Sequence, residues 1–228
     1  VIEDAAHAVD SFSKGRPCGG IGDVGIYSFD AIKNLTTGEG GGITARDQTM
    51  IDRAKQLRYC GVGKSGFEVA TSPVGTPQRW WEYTINEPFI KMLPTNIAAA
   101  IGLSQLTRLD SLQARRKTIW KLYEEGLSDV PELVLPSEAP PSDQHSYFTF
   151  CIRADRRDEL AYALLAENIY TTLRYHPLHL NELYGQTDQR LENCEKLNEE
   201  ALSIPLHPRL TNTDIERVIY AVRKFFGR

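Results

Sequence analysis

The sequence predicts an α/β chain in two parts, residues 1–108 and 109–228. Three observations carry the prediction. Residues 1–4 read as a strand that delivers Asp4 at its C-terminal end, and residues 24–29 (Val24, Ile26, Tyr27, Phe29) read as a buried strand followed by a lone lysine, Lys33. Lys33 follows Asp4 by about 30 residues, the size of one strand–crossover–strand unit, so the two residues can reach one edge of a common sheet. The second part alternates short β-branched and aromatic runs with helical patterns, as a small, antiparallel-leaning α/β domain does.

In chain order, residues 11–25 form a turn-rich connector. Gly20-Ile21-Gly22-Asp23-Val24-Gly25 formally matches a dinucleotide fingerprint, but that motif must follow a strand and open a helix, whereas this run opens a strand. A Gly-rich turn, Gly38-Glu39-Gly40-Gly41, leads into a strand over 42–45. Asp47 caps a helix over 49–58, with Met50, Ile51, Ala54 and Leu57 as its buried face. Residues 60–81 are a long loop, and such loops are usually functional or disordered. Thr95 caps a helix with an apolar stripe (Ile97, Ala100, Ile101, Leu103, Leu106), which breaks before a second helical run through Ile119, Leu122 and Tyr123. Residues 131–141 are a Pro-rich connection. Strands are predicted over 147–152 and 169–173. Helices are predicted over 159–167 (capped by Asp155), 190–202 and 213–226, the last with Ile215, Val218, Ile219, Val222 and Phe225 on one face.

Composition narrows the function. The chain has 228 residues, 41% hydrophobic and 25% charged, as in ordinary soluble domains, and a net charge of −4 argues against nucleic acid. No apolar run approaches the ~18 residues of a membrane span. Cys18, Cys60, Cys151 and Cys194 are scattered, like reduced thiols of a cytoplasmic protein. His145, His176, His179 and His207 match no compact metal-ligand spacing. Asn34-Leu35-Thr36 matches a glycosylation acceptor without a secretory signal beside it.

Chemistry concentrates around Asp4 and Lys33. A lysine at the end of a buried strand can hold a depressed pKa and attack a carbonyl, although most lysines are surface residues. An aspartate facing a lysine is the pair that pyridoxal phosphate needs, the aspartate on the ring nitrogen and the lysine on the aldehyde. Taken alone, Asp4 reads equally as a helix cap ahead of an alanine run.

Several ordered segments together resemble the DegT/StrS-type sugar aminotransferases, which are fold-type I pyridoxal phosphate enzymes. They are Glu3-Asp4-Ala5-Ala6-His7-Ala8, Gly22-Asp23-Val24-Gly25, Ser28-Phe29, the run from Lys33 to Gly41, Tyr175-His176-Pro177-Leu178-His179 and Leu202-Ser203-Ile204-Pro205-Leu206-His207-Pro208. The resemblance covers nearly the whole chain. It implies the C-terminal part of a large mixed-sheet cofactor domain over 1–108 and a small C-terminal α/β domain over 109–228. The half of the large domain that supplies a phosphate-binding helix and a ring-stacking aromatic is then expected outside this chain. The resemblance further implies that Lys33 carries the cofactor and moves the proton, Asp4 pairs with the pyridine nitrogen, His7 lies by the phenolic oxygen, and Ser28 donates to the phosphate. Glu39 and His179 would lie near substrate. Residues 87–96 depart from the family's usual sequence there, and Lys91 could substitute for a phosphate contact made across a homodimer with shared active sites. The reaction so implied moves an amino group from glutamate to a nucleotide-linked keto-deoxysugar, at C4 rather than C3. A dehydratase relative carries histidine in place of the lysine, which sets Lys33 against that reading, and a non-catalytic or regulatory homologue is the other alternative.

Overall fold

The computed structural model describes residues 1–63, 83–173, 175–184 and 190–228. The chain divides into two compact units, Val1–Thr107 and Arg108–Arg228.

The first unit is built on a sheet of β1 (Ile2–Asp4), β4 (Val24–Ser28) and β5 (Gly41–Ala45), in the order β1-β4-β5. β1 runs parallel to β4, pairing Ile2 with Val24 and Asp4 with Ile26. β5 is antiparallel to β4, pairing Val24 with Ala45 and Ser28 with Gly41. The parallel pair requires a crossover, and a small hairpin supplies it rather than a helix: β2 (Phe12–Ser13) and β3 (Arg16–Pro17). The glycine run then leads into β4, a strand rather than a helix.

Side chains alternate across a strand. Glu3, Gly25, Tyr27 and Thr44 therefore share one sheet face, and Ile2, Asp4, Ile26 and Ile43 share the other. The expectation that 24–29 is a buried strand fails on the second face, where Ile26 is 44% exposed and Ile43 55% exposed. Gly25 is buried because the first face is covered by the turn at Cys18–Gly22.

α1 (Gln48–Leu57) starts at Asp47, whose carboxylate accepts the Thr49 N–H at 2.8 Å. α2 (Asn96–Leu106) starts at Thr95, whose hydroxyl accepts the Ala98 N–H. Both caps match the sequence prediction, but the buried apolar faces do not. Nothing in α1 is fully buried, and in α2 only Gly102 is, while Ile97 is 75% and Leu103 67% exposed. Gly102 is buried because α2 closes onto Thr37, where a Cβ would stand 2.8 Å from the threonine methyl.

The second unit packs α3 (Leu109–Leu127) and α6 (Asn212–Phe225) with α4 (Arg157–Ala166) over the antiparallel pair β7 (Phe150–Arg153) and β8 (Ala201–Ile204). A two-residue strand, β6 (Asp143–Gln144), precedes them, and α5 (Glu192–Glu200) runs directly into β8. Ile119, Trp120, Tyr123, Leu127, Phe150, Ile152, Leu160, Leu164, Ile215 and Val222 form the centre of the core. Within it Arg116 is buried without a carboxylate, its Nη1 donating to the carbonyls of Tyr147, Phe148 and Leu206. Desolvation pulls its pKa down to about 10.

Four element predictions change in this unit. The helix expected over 190–202 stops at Glu200, because Leu202 and Ile204 are drawn into pairing with Ile152 and Phe150. Residues 169–173 make one bridge, Thr172 with Ser203, rather than a strand. The strand expected from 147 begins at Phe150, since Tyr147 takes a left-handed φ of 49°. Asp155 caps nothing: α4 begins after Arg156, which pairs with Glu159 instead. Among the described residues no helix is long and apolar enough to cross a membrane, and no group of His, Cys, Asp and Glu could hold a metal ion.

Candidate active site

Because β1 and β4 are parallel neighbours, their C-terminal ends lie side by side. Asp4 ends one and Ser28 the other. Asp4 is exposed, and it caps a turn rather than a helix. Its Oδ1 accepts the Ala6 N–H at 3.1 Å, while Oδ2 has no partner among the described residues. His7 lies half-buried in the same turn.

After Ser28 the chain makes a closed loop. Phe29 fastens both ends of it, its N–H donating to the Gly40 carbonyl and its carbonyl accepting from the Thr37 N–H, each at 2.9 Å. Inside this loop Asp30 opens a turn: its carboxylate accepts the Ile32 N–H and its carbonyl the Lys33 N–H. Lys33 is half-buried on that turn, and Asn34 and Leu35 are buried beneath it. The Gly-rich return needs glycine at Gly38 and Gly40, whose φ values are 85° and 151°. Glu39 between them is exposed, its carbonyl accepting from the Thr37 hydroxyl at 2.7 Å. Ser28 Oγ accepts a long bond from the Asp30 N–H, 3.4 Å, which leaves its own proton available to donate. Asp4, His7, Ser28 and Lys33 thus all follow from one end of the β1–β4 pair, and Glu39 lies on the return of the same loop.

Two predicted residues stand elsewhere. Lys91 is exposed; its backbone bridges to Tyr59 and its ammonium lies 6.0 Å from the Tyr59 ring centroid. The long loop expected over residues 60–81 falls mostly outside the described residues. His179, in the second unit, is not a bare turn residue: its Nε2 is 3.1 Å from Glu195 Oε1. Glu195 also accepts from Arg190 and from the Leu191 N–H, which with His179 hold its pKa down at about 2. Whatever His179 touches beyond Glu195 it must reach through Nδ1.

Sequence reasoning missed Glu3. Its carboxylate accepts three backbone N–H bonds, from Gly19 (2.8 Å), Ile21 (2.6 Å) and Gly22. The amides of Gly22 and Gly19 hold its pKa below the ordinary carboxylate range. The signal was present in the alternation of the strand: Glu3 faces away from Asp4, toward the glycine run that had found no function.

Comparison with known proteins gives the chain a family and a fold. A family model described as the DegT/DnrJ/EryC1/StrS aminotransferase family matches residues 1–223. A curated relative, the dTDP-4-dehydro-2,3,6-trideoxy-D-glucose 4-aminotransferase of Saccharopolyspora spinosa, is 36% identical over 96% of this chain. The chain spans 56% of that relative's length. The solved structure of the aminotransferase TlmJ from Streptoalloteichus hindustanus superposes with a TM-score of 0.90 at 38% identity, over 99% of this chain and 58% of that one. The PLP-form of the sugar aminotransferase Spr1654 from Streptococcus pneumoniae superposes at 0.84 with 28% identity, over 98% of this chain and 56% of that one. With residues 1–223 matched by the family model and nearly the whole length superposed on a solved aminotransferase, the chain belongs to the DegT/DnrJ/EryC1/StrS aminotransferase family and takes the fold-type I architecture of its sugar aminotransferases over the part it spans.

Proposed function

We propose that this chain carries part of a pyridoxal phosphate site for amino transfer from glutamate to a nucleotide-linked keto-deoxysugar, at C4. The observation that carries the reading is the juxtaposition of Asp4 and the Lys33 loop at the carboxyl end of two parallel strands. The donor set fits the cofactor: an exposed carboxylate with an open oxygen for a pyridinium, an amine for an aldehyde, and a hydroxyl for a phosphate. The C4 preference draws support from the Saccharopolyspora relative, whose name specifies a 4-aminotransferase.

When bound, pyridoxal phosphate supplies the electrophilic carbon and the electron-accepting ring. In this reading Asp4 holds the proton on the ring nitrogen. Lys33 Nζ would serve as the positioned base and then acid that moves the α-proton of glutamate. His7 would lie by the phenolic oxygen and Ser28 Oγ would donate to the phosphate. Glu39 and His179 bound the substrate, and Lys91 serves the phosphate as a point charge across a homodimer. We read the site as working in the cytoplasm.

The test is a visible absorption spectrum of the full-length protein with pyridoxal phosphate, before and after glutamate. A long-wavelength band that shifts on adding glutamate is expected. Lys33→Ala abolishes both band and turnover, and Asp4→Ala keeps a weak band and loses turnover. Full activity in Lys33→Ala overturns the reading.

A further inference from the structure

We propose that Glu3 is a positioning residue for Asp4, and that the glycine run Gly19–Gly25 exists to receive it. The proposal rests on the assignment of Asp4 above and deepens it. Among the described residues β1 pairs with β4 through Ile2, Glu3 and Asp4. Glu3 adds a side-chain attachment to that ladder, one residue from Asp4 and on the opposite face, through the N–H groups of Gly19, Ile21 and Gly22.

The turn that supplies those groups is itself anchored on every side. The Tyr27 hydroxyl donates to the Cys18 carbonyl, and the Thr44 hydroxyl to that of Gly19. Arg46 donates to the carbonyls of Gly22, at 2.9 Å, and Ile21, and Arg16 donates to Ile21 at 3.0 Å. Three of its amides therefore point at one carboxylate, while its carbonyls are held by two hydroxyls and two guanidinium groups. Close approach to β4 is essential, since a Cβ on Gly25 would lie 2.0 Å from the Gly19 carbonyl oxygen. A residue pinned to so rigid a turn cannot rotate about β1, and its neighbour is thereby aimed at the other face. Gly22 is tight in the same way, a Cβ there standing 2.8 Å from the Val1 carbonyl oxygen, so two of the three glycines of the dinucleotide-like spacing answer to close packing on the strand pair.

The experiment compares wild type, Glu3→Gln and Arg46→Ala. Glu3→Gln keeps the size but turns an amide NH₂ toward N–H donors; Arg46→Ala loosens the same turn from its carbonyl side. Amide exchange by mass spectrometry is read on peptides covering 2–5 and 19–22. Pyridoxal phosphate affinity and the ¹⁵N shift of its labelled ring nitrogen are read in parallel. Glu3→Gln should speed exchange in both peptides, weaken cofactor binding about tenfold, the scale of one charged hydrogen bond, and move the ring nitrogen toward its unprotonated shift. Arg46→Ala should speed exchange chiefly at 19–22 and move the ring nitrogen less than Glu3→Gln does, since the Tyr27, Thr44 and Arg16 anchors of the turn and the Glu3 carboxylate remain. The proposal is overturned by wild-type exchange at 2–5 in Glu3→Gln, or by Arg46→Ala matching Glu3→Gln on every readout. If wild type binds no cofactor while Glu3→Gln still speeds exchange at 2–5, the positioning of Asp4 stands and the cofactor assignment falls.

Discussion

The histidines of the second unit give individual residues a measurable pH signature. Tyr147 N–H donates to Nδ1 of His145 at 2.7 Å, which requires that nitrogen to be unprotonated. The imidazole also lies against the rings of Trp120 and Tyr147, at 4.8 and 5.0 Å between centroids. Burial pushes its pKa below the ordinary 6.5, opposed by the nearby Glu138. His207 is lowered too, by burial first and then by Arg116 and Arg209. A histidine whose folded pKa is depressed contributes stability that is fully present above 6.5 and is lost as pH falls toward the folded value, because the unfolded chain then binds the extra proton. The urea midpoint of the protein should therefore decline from pH 7 to pH 5.5. His145→Phe should show a lower midpoint at pH 7, having lost the acceptor for Tyr147 N–H, but a shallower decline. Parallel declines in the two proteins would show that His145 is not responsible. Of these residues the sequence exposed only their identity; nothing in a linear pattern marks Arg116 or His145 as buried.

At the scale of elements, helix starts were readable and helix faces were not. Asp47 and Thr95 cap the helices that their sequences announce, since a cap is a contact between neighbours in the chain. The last helix has a stronger start than the sequence suggested. Thr211 Oγ1 accepts the Asp214 N–H at 3.1 Å, and Asp214 returns the bond to the Thr211 N–H at 2.8 Å, a complete capping box. Thr211→Ala should cost about 1 kcal/mol in a urea titration, with Thr211→Ser retaining most of it. An unchanged midpoint in Thr211→Ala would remove the cap from the account. By contrast, the first two residues of β8, Ala201 and Leu202, were expected at the end of a helix, and β7 draws them into the sheet by offering Arg153 and Ile152 as partners.

For the molecule as a whole, the two units differ in how they are held. The second has a continuous core running from Ile119 to Val222. In the first, the fully buried apolar residues among those described are Ala5, Val9 and Leu35, and hydrogen bonds from turns to strands do much of the holding. A fragment of residues 108–228 should accordingly fold alone, with one cooperative thermal transition and a near-UV dichroism signal from Trp120, its single tryptophan. A non-cooperative melt would show that its core is insufficient.

The sequence by itself determined the family, the α/β class, the approximate strand and helix order, and the spacing of an aspartate and a lysine about one crossover unit apart. These are local patterns and spacings, which a chain carries in any conformation. Only the tertiary structure decided which faces are covered, that a hairpin rather than a helix makes the crossover, that His179 is engaged by Glu195, and that Glu3 grips the glycine turn behind Asp4. Those outcomes depend on atoms far apart in sequence meeting within hydrogen-bond distance, and the free energy of such meetings is not written in either segment alone.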